Sequence, residues 1–336
     1  MRAFTQNTIN NQLIGRLMAE IVLLEKDTLS TGDMDFTPFE RLGKVAYYDT
    51  LKGDDLINAV KDAEIVLINK TLFNKELFDA CKRLKYIGIF ATGFNNVDLK
   101  IANERNITVC NVPSYSTESV AQLAMTFILS LASNVAKYDE STHAGKWIES
   151  STFSYFPFKF SELSGKTLGV FGMGEIGESV TKKAQSFGMK VIACTRTKKI
   201  VDGVEFVEKD ELFKRSDFLT LHCPLNPQTE KVVNERTLAL MKPTAFLINT
   251  SRGGVIDEKA LANALTTKII AGCALDVLTK EPMDENCPLF NLPNCIITPH
   301  IAWTTVEARK RLLVTACKNV EAFLNGKTQN SVNGKA

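Results

Sequence analysis

A glycine pattern within residues 167–177 constrains the fold of this chain more than any other stretch. A short apolar run, typical of a buried parallel strand, precedes Gly172, Gly174 and Gly177 at G-x-G-x-x-G spacing, and helical periodicity follows from Glu175 onward. In this order the elements predict a dinucleotide site. Gly172 can take a backbone angle closed to other residues, and a pyrophosphate can approach the backbone at Gly174 and the helix N-terminus. A glycine turn that serves only packing is the alternative interpretation.

Length, charge and cysteine usage limit the class of protein. The 336 residues suit two domains, and 45% hydrophobic with 23% charged residues is typical of a soluble globular protein. A net charge of +2 predicts no nucleic-acid partner, and the lack of an 18-residue apolar run predicts no membrane span. The eight cysteines are scattered without a C-x-x-C pair, which favours reduced thiols in a cytoplasmic protein over disulfides or a metal site.

The first 17 residues differ from the rest of the chain. They are rich in Asn, Thr and Gln, contain no acidic residue and lack the apolar core of a secretory signal. We interpret residues 1–17 as a disordered extension or the product of an early start codon, with an organellar presequence as a further alternative. We expect structure to begin at Met18.

Strand and helix patterns alternate beyond Met18, which predicts an α/β fold. Helical patterns include residues 54–63, 75–82 and a closing amphipathic helix at 306–325. Besides the strand of the glycine pattern, the predicted strands are 20–24, 44–48, 64–68, 86–89, 108–110, 190–194, 218–222, 245–249, 269–275 and 295–298.

A long apolar helix is predicted at residues 119–137, with Ser116 or Thr117 as its cap. It is apolar around much of its circumference, so we expect it to be buried on more than one side. A subunit interface and a domain junction explain this equally well.

Three polar side chains that follow predicted strands could form a catalytic set. Arg252 lies in N-T-S-R-G-G after an apolar strand, so its planar guanidinium should reach the crevice where α/β proteins bind ligands, and it suits a carboxylate. His300 follows a short strand, and Glu281 is its natural partner because a nearby carboxylate stabilises a protonated imidazole. Singly, each has a plain alternative: a surface ion pair, a loop charge or a core histidine. Together they favour catalysis.

These motifs resemble those of the D-isomer-specific 2-hydroxyacid dehydrogenase family from Met18 onward. The motifs shared with the family are the glycine pattern, H-C-P-L from His222, N-T-S-R-G-G from Asn249, Asp276-Val with Glu281-Pro282, and Pro299-His300. Within the family the chain is similar to the glycerate dehydrogenases, also called hydroxypyruvate reductases. The stretches that carry this closer likeness are Asn69-Lys-Thr, Ala91-Thr-Gly-Phe-Asn, Ser119-Val-Ala-Gln and His300-Ile-Ala-Trp.

The resemblance implies two doubly wound parallel-sheet α/β domains. A Rossmann nucleotide domain, residues 116–304, would be inserted into a flavodoxin-like substrate domain, residues 18–115 plus 305–336. The implied activity is the reduction of a small 2-oxo acid, hydroxypyruvate or glyoxylate, in the cleft between these domains. His300 would be the acid/base, Glu281 would orient and charge it, and Arg252 would bind the carboxylate and the keto oxygen of the substrate.

The resemblance also implies which residues contact ligands, and it implies a homodimer formed through the helix at 119–137 and no metal. The implied cofactor-binding residues are Gly172, Gly174, Glu175, Ile176, Gly177, Thr195, Arg196, Thr197, His222, Cys223, Pro224, Thr229, Thr250, Ser251 and Asp276, the last at the nicotinamide end. The implied substrate-binding residues are Lys70, Thr92, Gly93, Phe94, Arg252, His300 and Trp303. Backbone N–H groups at residues 92–94 would complete the carboxylate site.

The sequence just after the predicted strand 190–194 differs from that of the family members that use NAD. Those members carry an acidic residue where this chain has Thr195, which is followed by Arg196, Lys198 and Lys199. The group that repels a 2′-phosphate is missing and basic groups are present. We therefore expect NADP(H) to be favoured and NAD(H) to be possible, with a solvated basic turn as the alternative interpretation.

Two other functions stay open. A D-lactate- or phosphoglycerate-type dehydrogenase would share the catalytic set, although a chain ending near residue 336 leaves no room for the regulatory domain of the phosphoglycerate type. A non-catalytic dinucleotide-sensing scaffold that binds protein partners would retain the glycines. The presence of Arg252, Glu281 and His300 together favours an enzyme.

Overall fold

The computed structural model describes residues 19–197 and 199–334. The predicted extension at 1–17, the predicted start at Met18, and Lys198 of the basic turn lie outside the described residues. The chain divides into two compact units, Met1–Tyr115 with Val306–Ala336 (unit 1) and Ser116–Thr305 (unit 2).

Unit 1 contains five parallel strands in the order β2-β1-β3-β4-β5, which is the flavodoxin-like order. The strands are β1 (Ala19–Leu23), β2 (Gly43–Tyr47), β3 (Ile65–Ile68), β4 (Tyr86–Ile89) and β5 (Thr108–Cys110). Its first helices are α1 (Lys26–Leu29), α2 (Thr37–Glu40), α3 (Gly53–Val60), α4 (Lys75–Ala80) and α5 (Leu99–Glu104). The central strands β3 and β4 are buried throughout, as continuous apolar runs in a parallel sheet should be.

Unit 2 contains seven parallel strands in the order β12-β11-β10-β9-β6-β7-β8. They are β6 (Thr167–Phe171), β7 (Lys190–Cys194), β8 (Val204–Phe206), β9 (Phe218–Leu221), β10 (Phe246–Asn249), β11 (Gly272–Leu275) and β12 (Cys295–Ile297). This is the Rossmann order with one further edge strand. The direction of winding reverses between β6 and β9, and such a switch point is where these sheets bind ligands. The predicted fold class is confirmed.

The predicted helix at 119–137 is two helices, α6 (Thr117–Ser133) and α7 (Val135–His143). The break occurs because Asn134 takes a left-handed conformation, with φ of 52°. The apolar circumference of α6 is explained inside unit 2, where Phe127 and Ile128 belong to one core with Leu168 and Val170 of β6. The other helices of unit 2 are α8 (Glu175–Ser186), α9 (Lys209–Arg215), α10 (Glu235–Leu238) and α11 (Glu258–Thr266).

The closing helix α12 (Val306–Leu324) belongs to unit 1, far along the chain from the rest of that unit. The predicted apolar face packs as expected, with Ala308, Leu312 and Val320 buried. Arg309 donates two hydrogen bonds of 2.7 Å to the carboxylate of Asp33, which ties the helix to the loop after α1.

Two absences hold for the part of the chain that the structure describes. No single helix there is long and apolar enough to cross a membrane; α6 and α7 pass that test only as a pair bent by 57°. No group of three metal-ligating side chains is found among the same residues. All eight cysteines, each in a described segment, are free thiols.

Candidate active site

The three glycines after β6 build a turn whose open side faces away from the protein. Gly172 has φ of +98°, and a Cβ there would lie 2.7 Å from the carbonyl oxygen of His222. A Cβ at Gly177 would lie 2.4 Å from the carbonyl oxygen of Gly172, whereas one at Gly174 would meet no atom within 4 Å. The outer glycines are therefore required by packing, and the middle one leaves the N-terminus of α8 open to a ligand.

Two buried polar atoms at the carboxyl ends of neighbouring strands of unit 2 lack a partner within the described chain. They are Nδ1 of His222, after β9, and the hydroxyl oxygen of Thr250, after β10. The other ring nitrogen of His222 lies 2.9 Å from the hydroxyl of Thr220. Burial lowers the pKa of His222 to about 4, so its imidazole is neutral at physiological pH. Buried polar atoms normally have partners, so a polar ligand such as a dinucleotide fits this edge of the sheet.

The turn after His222 is held by its own side chains. The hydroxyl of Thr229 donates to the carbonyl of Pro224 at 2.6 Å and accepts from the N–H of Asn226 at 2.9 Å. Burial raises the pKa of the Cys223 thiol to about 11, so it stays protonated and unreactive. These residues shape the rim of the predicted cofactor site.

The basic turn after β7 is accessible to solvent. Arg196 and Thr197 are exposed and Thr195 is half-buried. The ammonium group of Lys199 is paired with the carboxylate of Glu178 in the first turn of α8. Arg196 is therefore the exposed cation at the described end of β7.

The loop that carries Arg252 is shaped by a buried amide. The side chain of Asn249, the last residue of β10, accepts hydrogen bonds from the backbone N–H (2.9 Å) and hydroxyl (2.8 Å) of Ser251 and donates to the carbonyl of Arg252 at 2.9 Å. The guanidinium of Arg252 is exposed and donates to the carbonyl of Ser251. A Cβ at Gly253 would lie 1.9 Å from the carbonyl carbon of Leu278. Only glycine allows this loop to contact the next one.

That next loop, after β11, carries Glu281 and contacts His300. Oε1 of Glu281 accepts from the N–H of Leu278 at 3.0 Å, and Oε2 lies 2.7 Å from Nδ1 of His300. Because Nδ1 is engaged with the carboxylate, Nε2 is the atom through which His300 can exchange a proton with a ligand. The structure thus brings the predicted histidine and its predicted acidic partner into direct contact.

Asp276 organises the segment that carries His300. Its carboxylate accepts from the hydroxyl of Thr298 (2.5 Å) and from the N–H groups of Ile301 (2.8 Å) and Ala302 (2.9 Å). The N–H of His300 donates to the backbone carbonyl of Asp276 at 2.8 Å. Burial raises the pKa of Asp276, although these hydrogen bonds oppose the shift. The carboxylate of Asp276 therefore accepts most of its hydrogen bonds from the protein itself, a role that was not predicted from the sequence.

The predicted substrate residues of unit 1 lie on the loops after β3 and β4. Lys70 and Phe94 are exposed residues of these loops. The backbone N–H groups of Thr92 and of residues 93–94 donate to no acceptor among the described residues. The side chain of Thr92 is fixed instead, because its hydroxyl donates to the carbonyl of Val112. Three consecutive N–H groups are therefore available to an anion.

Comparison with known proteins decides the family. The profile described as "D-isomer specific 2-hydroxyacid dehydrogenase, NAD binding domain" matches residues 125–302. A hydroxypyruvate reductase of Blautia hydrogenotrophica is 40% identical over 320 residues, which is 94% of this chain and 99% of that protein. The chain belongs to the D-isomer-specific 2-hydroxyacid dehydrogenase family. As a D-2-hydroxyacid dehydrogenase it is an oxidoreductase that uses a nicotinamide dinucleotide and acts on a small molecule.

Two further relatives of this dehydrogenase differ in their named activities. A glyoxylate reductase of Thermococcus litoralis is 40% identical over 271 residues, 79% of this chain and 81% of that protein. A solved acyclic imino acid reductase in complex with NADPH and D-Arg is 31% identical, with a TM-score of 0.82 over 93% of this chain and 99% of that one. These relatives therefore act on more than one substrate, and membership of the family does not by itself identify the substrate of this enzyme.

Three residues that shape the dehydrogenase's candidate site were not singled out from the sequence. They are Asn249, Thr298 and Glu25, the last of which holds the loop after β3. Position at or next to the end of a strand was the signal that these residues share, and many other residues share it. Trp303, predicted to contact substrate, is half-buried just beyond the segment held by Asp276.

Proposed function

We propose that this dehydrogenase reduces hydroxypyruvate, and secondarily glyoxylate, to the D-2-hydroxy acid, with NADPH as its preferred reductant. The observation that carries the proposal is the 2.7 Å contact between Glu281 and His300, on a loop that packs against the loop of Arg252. A proton carrier, its acidic partner and a guanidinium then follow three neighbouring strands, β12, β11 and β10. A dinucleotide-sensing scaffold has no need of this set.

The glycine turn, the N-terminus of α8 and the unpartnered atoms of His222 and Thr250 would hold the dinucleotide. When bound in its reduced form, this cofactor supplies the hydride that the keto carbon of the substrate receives. A neutral His222 suits a contact with the cofactor, because its free Nδ1 can form a hydrogen bond without adding a charge.

His300 would donate the proton that completes the reduction. Its Nε2–H is the free donor of the imidazolium, and the developing alkoxide oxygen would accept that proton. Glu281 stabilises the imidazolium through Nδ1 and fixes the orientation of the ring. In the oxidative direction the same nitrogen would remove the proton from the hydroxyl group.

Arg252 would bind the carboxylate of the acid and stabilise negative charge on the reacting oxygen. A planar guanidinium forms two parallel hydrogen bonds with a carboxylate, which orients the substrate as well as attracting it. In unit 1, the N–H groups of residues 92–94 and the side chain of Lys70 would bind an anion, as backbone N–H groups bind anions elsewhere.

The choice of acid and cofactor rests on the relatives and on the basic turn. The relatives named hydroxypyruvate reductase and glyoxylate reductase support hydroxypyruvate or glyoxylate over pyruvate as the substrate. The exposed Arg196 and the lack of an acidic residue at Thr195 support NADPH, since nothing there repels a 2′-phosphate. The NADPH complex of the imino acid reductase shows that a similar fold accommodates that cofactor.

We also propose that the enzyme is a homodimer. The segment after α7 exposes large apolar side chains that a second copy could cover: Trp147, Ile148, Phe153, Phe156 and Phe160. Phe153 alone leaves 92% of its surface exposed. Such a group of side chains in one segment is unusual for a free surface. The predicted interface helix α6 is largely buried within unit 2, so this segment would supply much of the contact. Molar mass by light scattering tests the assembly.

Steady-state kinetics test the proposed activity. The purified protein is mixed with NADPH or NADH and with hydroxypyruvate, glyoxylate, pyruvate or phosphohydroxypyruvate, and the loss of absorbance at the nicotinamide band is followed. We expect the highest kcat/KM for hydroxypyruvate with NADPH. A higher kcat/KM for pyruvate would support the D-lactate type. Dinucleotide binding without turnover of any acid would support the sensing scaffold.

A further inference from the structure

A buried carboxylate in unit 1 has no part in the chemistry above but holds a loop that does. Glu25 follows β1, and 4% of its surface is exposed. Its Oε2 accepts from the backbone N–H groups of Asn69 (2.7 Å), Lys70 (2.9 Å) and Thr71 (3.0 Å), and Oε1 lies 3.0 Å from the N–H of Lys70. These donors follow β3, the neighbour of β1 in the sheet. One carboxylate thus occupies three consecutive amides.

Stability alone explains this arrangement poorly, because Glu25 carries two features that oppose folding. A buried carboxylate loses its hydration, which hydrogen bonds restore only in part. Glu25 also has φ of +59°, in the left-handed region, which is strained for a residue other than glycine. Strain and a buried charge at one residue are typical of sites where a precise backbone geometry serves function.

A second side chain joins this loop to the loop after β4. Nδ2 of Asn96 donates to the carbonyl groups of Asn69 (3.3 Å) and Thr71 (3.0 Å). Asn96 lies two residues after the stretch whose N–H groups at 92–94 are available to an anion. The amides held by Glu25 and the free amides are therefore parts of one connected structure.

We propose that Glu25 is a positioning residue for the 2-oxo acid: it fixes the backbone at 69–71 and, through Asn96, the backbone at 92–94. The inference rests on the proposed function, since it assumes that these loops bind the substrate. The carboxylate of Glu25 occupies the amides at 69–71, so the acid would be bound by the neighbouring amides at 92–94.

The first test is Glu25→Gln, measured with NADPH and hydroxypyruvate. Glutamine has one accepting oxygen and turns an NH₂ donor toward backbone donors, so the loop is held less firmly. We expect KM for the acid to rise about ten-fold, with kcat changed less than about two-fold. The dissociation constant of NADPH should not change, because the cofactor residues belong to unit 2. Hydrogen exchange, followed by mass spectrometry, should become faster at residues 69–71.

Two further variants separate positioning from stability. Asp33→Asn is the matched control, since Asp33 is a unit 1 carboxylate that holds Arg309 of α12 and has no contact with residues 69–71. It should lower Tm and leave KM unchanged. Glu25→Asp keeps the carboxylate and places it on a residue that tolerates left-handed backbone. We therefore expect KM to rise less in Glu25→Asp than in Glu25→Gln.

The outcomes distinguish this inference from the proposed function. An unchanged KM in Glu25→Gln, with exchange at 69–71 as in the wild type, would overturn the inference. Should Glu25→Gln fail to fold, Asn96→Ala takes its place: the same rise in KM is expected, and an unchanged KM is again contrary. A wild-type protein that is inactive on every 2-oxo acid overturns the proposed function itself.

Discussion

Units 1 and 2 each use a buried carboxylate to hold a loop that carries candidate substrate residues. In unit 1, Glu25 accepts from three consecutive N–H groups at 69–71. In unit 2, Asp276 accepts from the N–H groups of Ile301 and Ala302, next to His300. Each arrangement also includes one left-handed residue, Glu25 with φ of 59° and His300 with φ of 55°. The same solution thus occurs at the carboxyl ends of two separate sheets.

The two loops differ in the chemistry that they present. The unit 2 segment presents an imidazole whose Nδ1 contacts the carboxylate of Glu281. Such a pair can transfer a proton through the other ring nitrogen, Nε2. The unit 1 loops present an ammonium group and backbone N–H groups, which are the groups that we propose bind an anion. We therefore expect substitutions in the unit 2 segment to lower kcat and substitutions in the unit 1 loops to raise KM.

The largest effect should come from His300→Gln. The amide keeps a polar group near the substrate but carries no transferable proton, so kcat should fall by about 10²–10⁴. The dissociation constant of NADPH, measured by fluorescence titration, should change little. His143→Gln is the control, since that histidine lies in α7 and its side chain is 79% exposed. Near-normal turnover in His300→Gln would remove the distinction between the units.

Arg252→Lys should act on both constants. Lysine keeps the charge but lacks the planar pair of donors, so the carboxylate is held less firmly and the reacting oxygen is less stabilised. We expect KM to rise and kcat to fall, each by about ten-fold. A rise in KM alone would place Arg252 with the binding residues of unit 1. Arg236→Lys, on the exposed surface of α10, is the matched control.

The sequence predicted the strands that carry the site better than the residues that hold its loops. Continuous apolar runs made β3, β4 and β9 recognisable. The edge strand β8, at Val204–Phe206, was missed because it is short, its two outer residues are only partly buried and its middle residue is exposed. The break at Asn134 was missed because an asparagine inside an apolar helix does not reveal left-handed backbone.

The residues of the candidate site likewise include some that could be predicted from the sequence and some that could not. Arg252, Glu281 and His300 could be selected because each belongs to a motif with a chemical purpose. Glu25 could not, because its partners lie 44 to 46 residues further along the chain and a glutamate after a strand resembles a surface charge. Contacts over such separations depend on the order of strands in the sheet, which no local pattern contains.

Cofactor preference provides a third, smaller test that concerns unit 2 alone. The double change Thr195→Asp with Arg196→Pro introduces repulsion toward a 2′-phosphate and removes an attractive charge. We expect kcat/KM for NADPH relative to NADH to fall by at least about ten-fold, reversing the preference. In the wild type the preference for NADPH should weaken as salt rises. KM for the acid should stay unchanged, and a wild type that already prefers NADH would contradict our interpretation of the turn.

The smallest effect should appear in stability, and it too separates the units. Burial holds the pKa of His222 at about 4 in the folded state, below its ordinary value of 6.5. Above pH 6.5 both folded and unfolded states are neutral at this residue. Between pH 6.5 and 4 the unfolded chain binds a proton that the folded chain does not, so the free energy of unfolding falls as pH falls, by about 1–3 kcal/mol.

Tryptophan fluorescence can follow this effect in unit 2, because both tryptophans of the chain, Trp147 and Trp303, belong to that unit. Urea unfolding at pH 7.5 and pH 5 should show the loss of stability in the wild type. His222→Gln removes the titrating group, so the difference between the two pH values should shrink, whereas His143→Gln, at an exposed position, should leave it unchanged. An equal difference in all three proteins would mean that His222 is accessible to protons in the folded enzyme and is not the neutral, enclosed group that suits a cofactor contact.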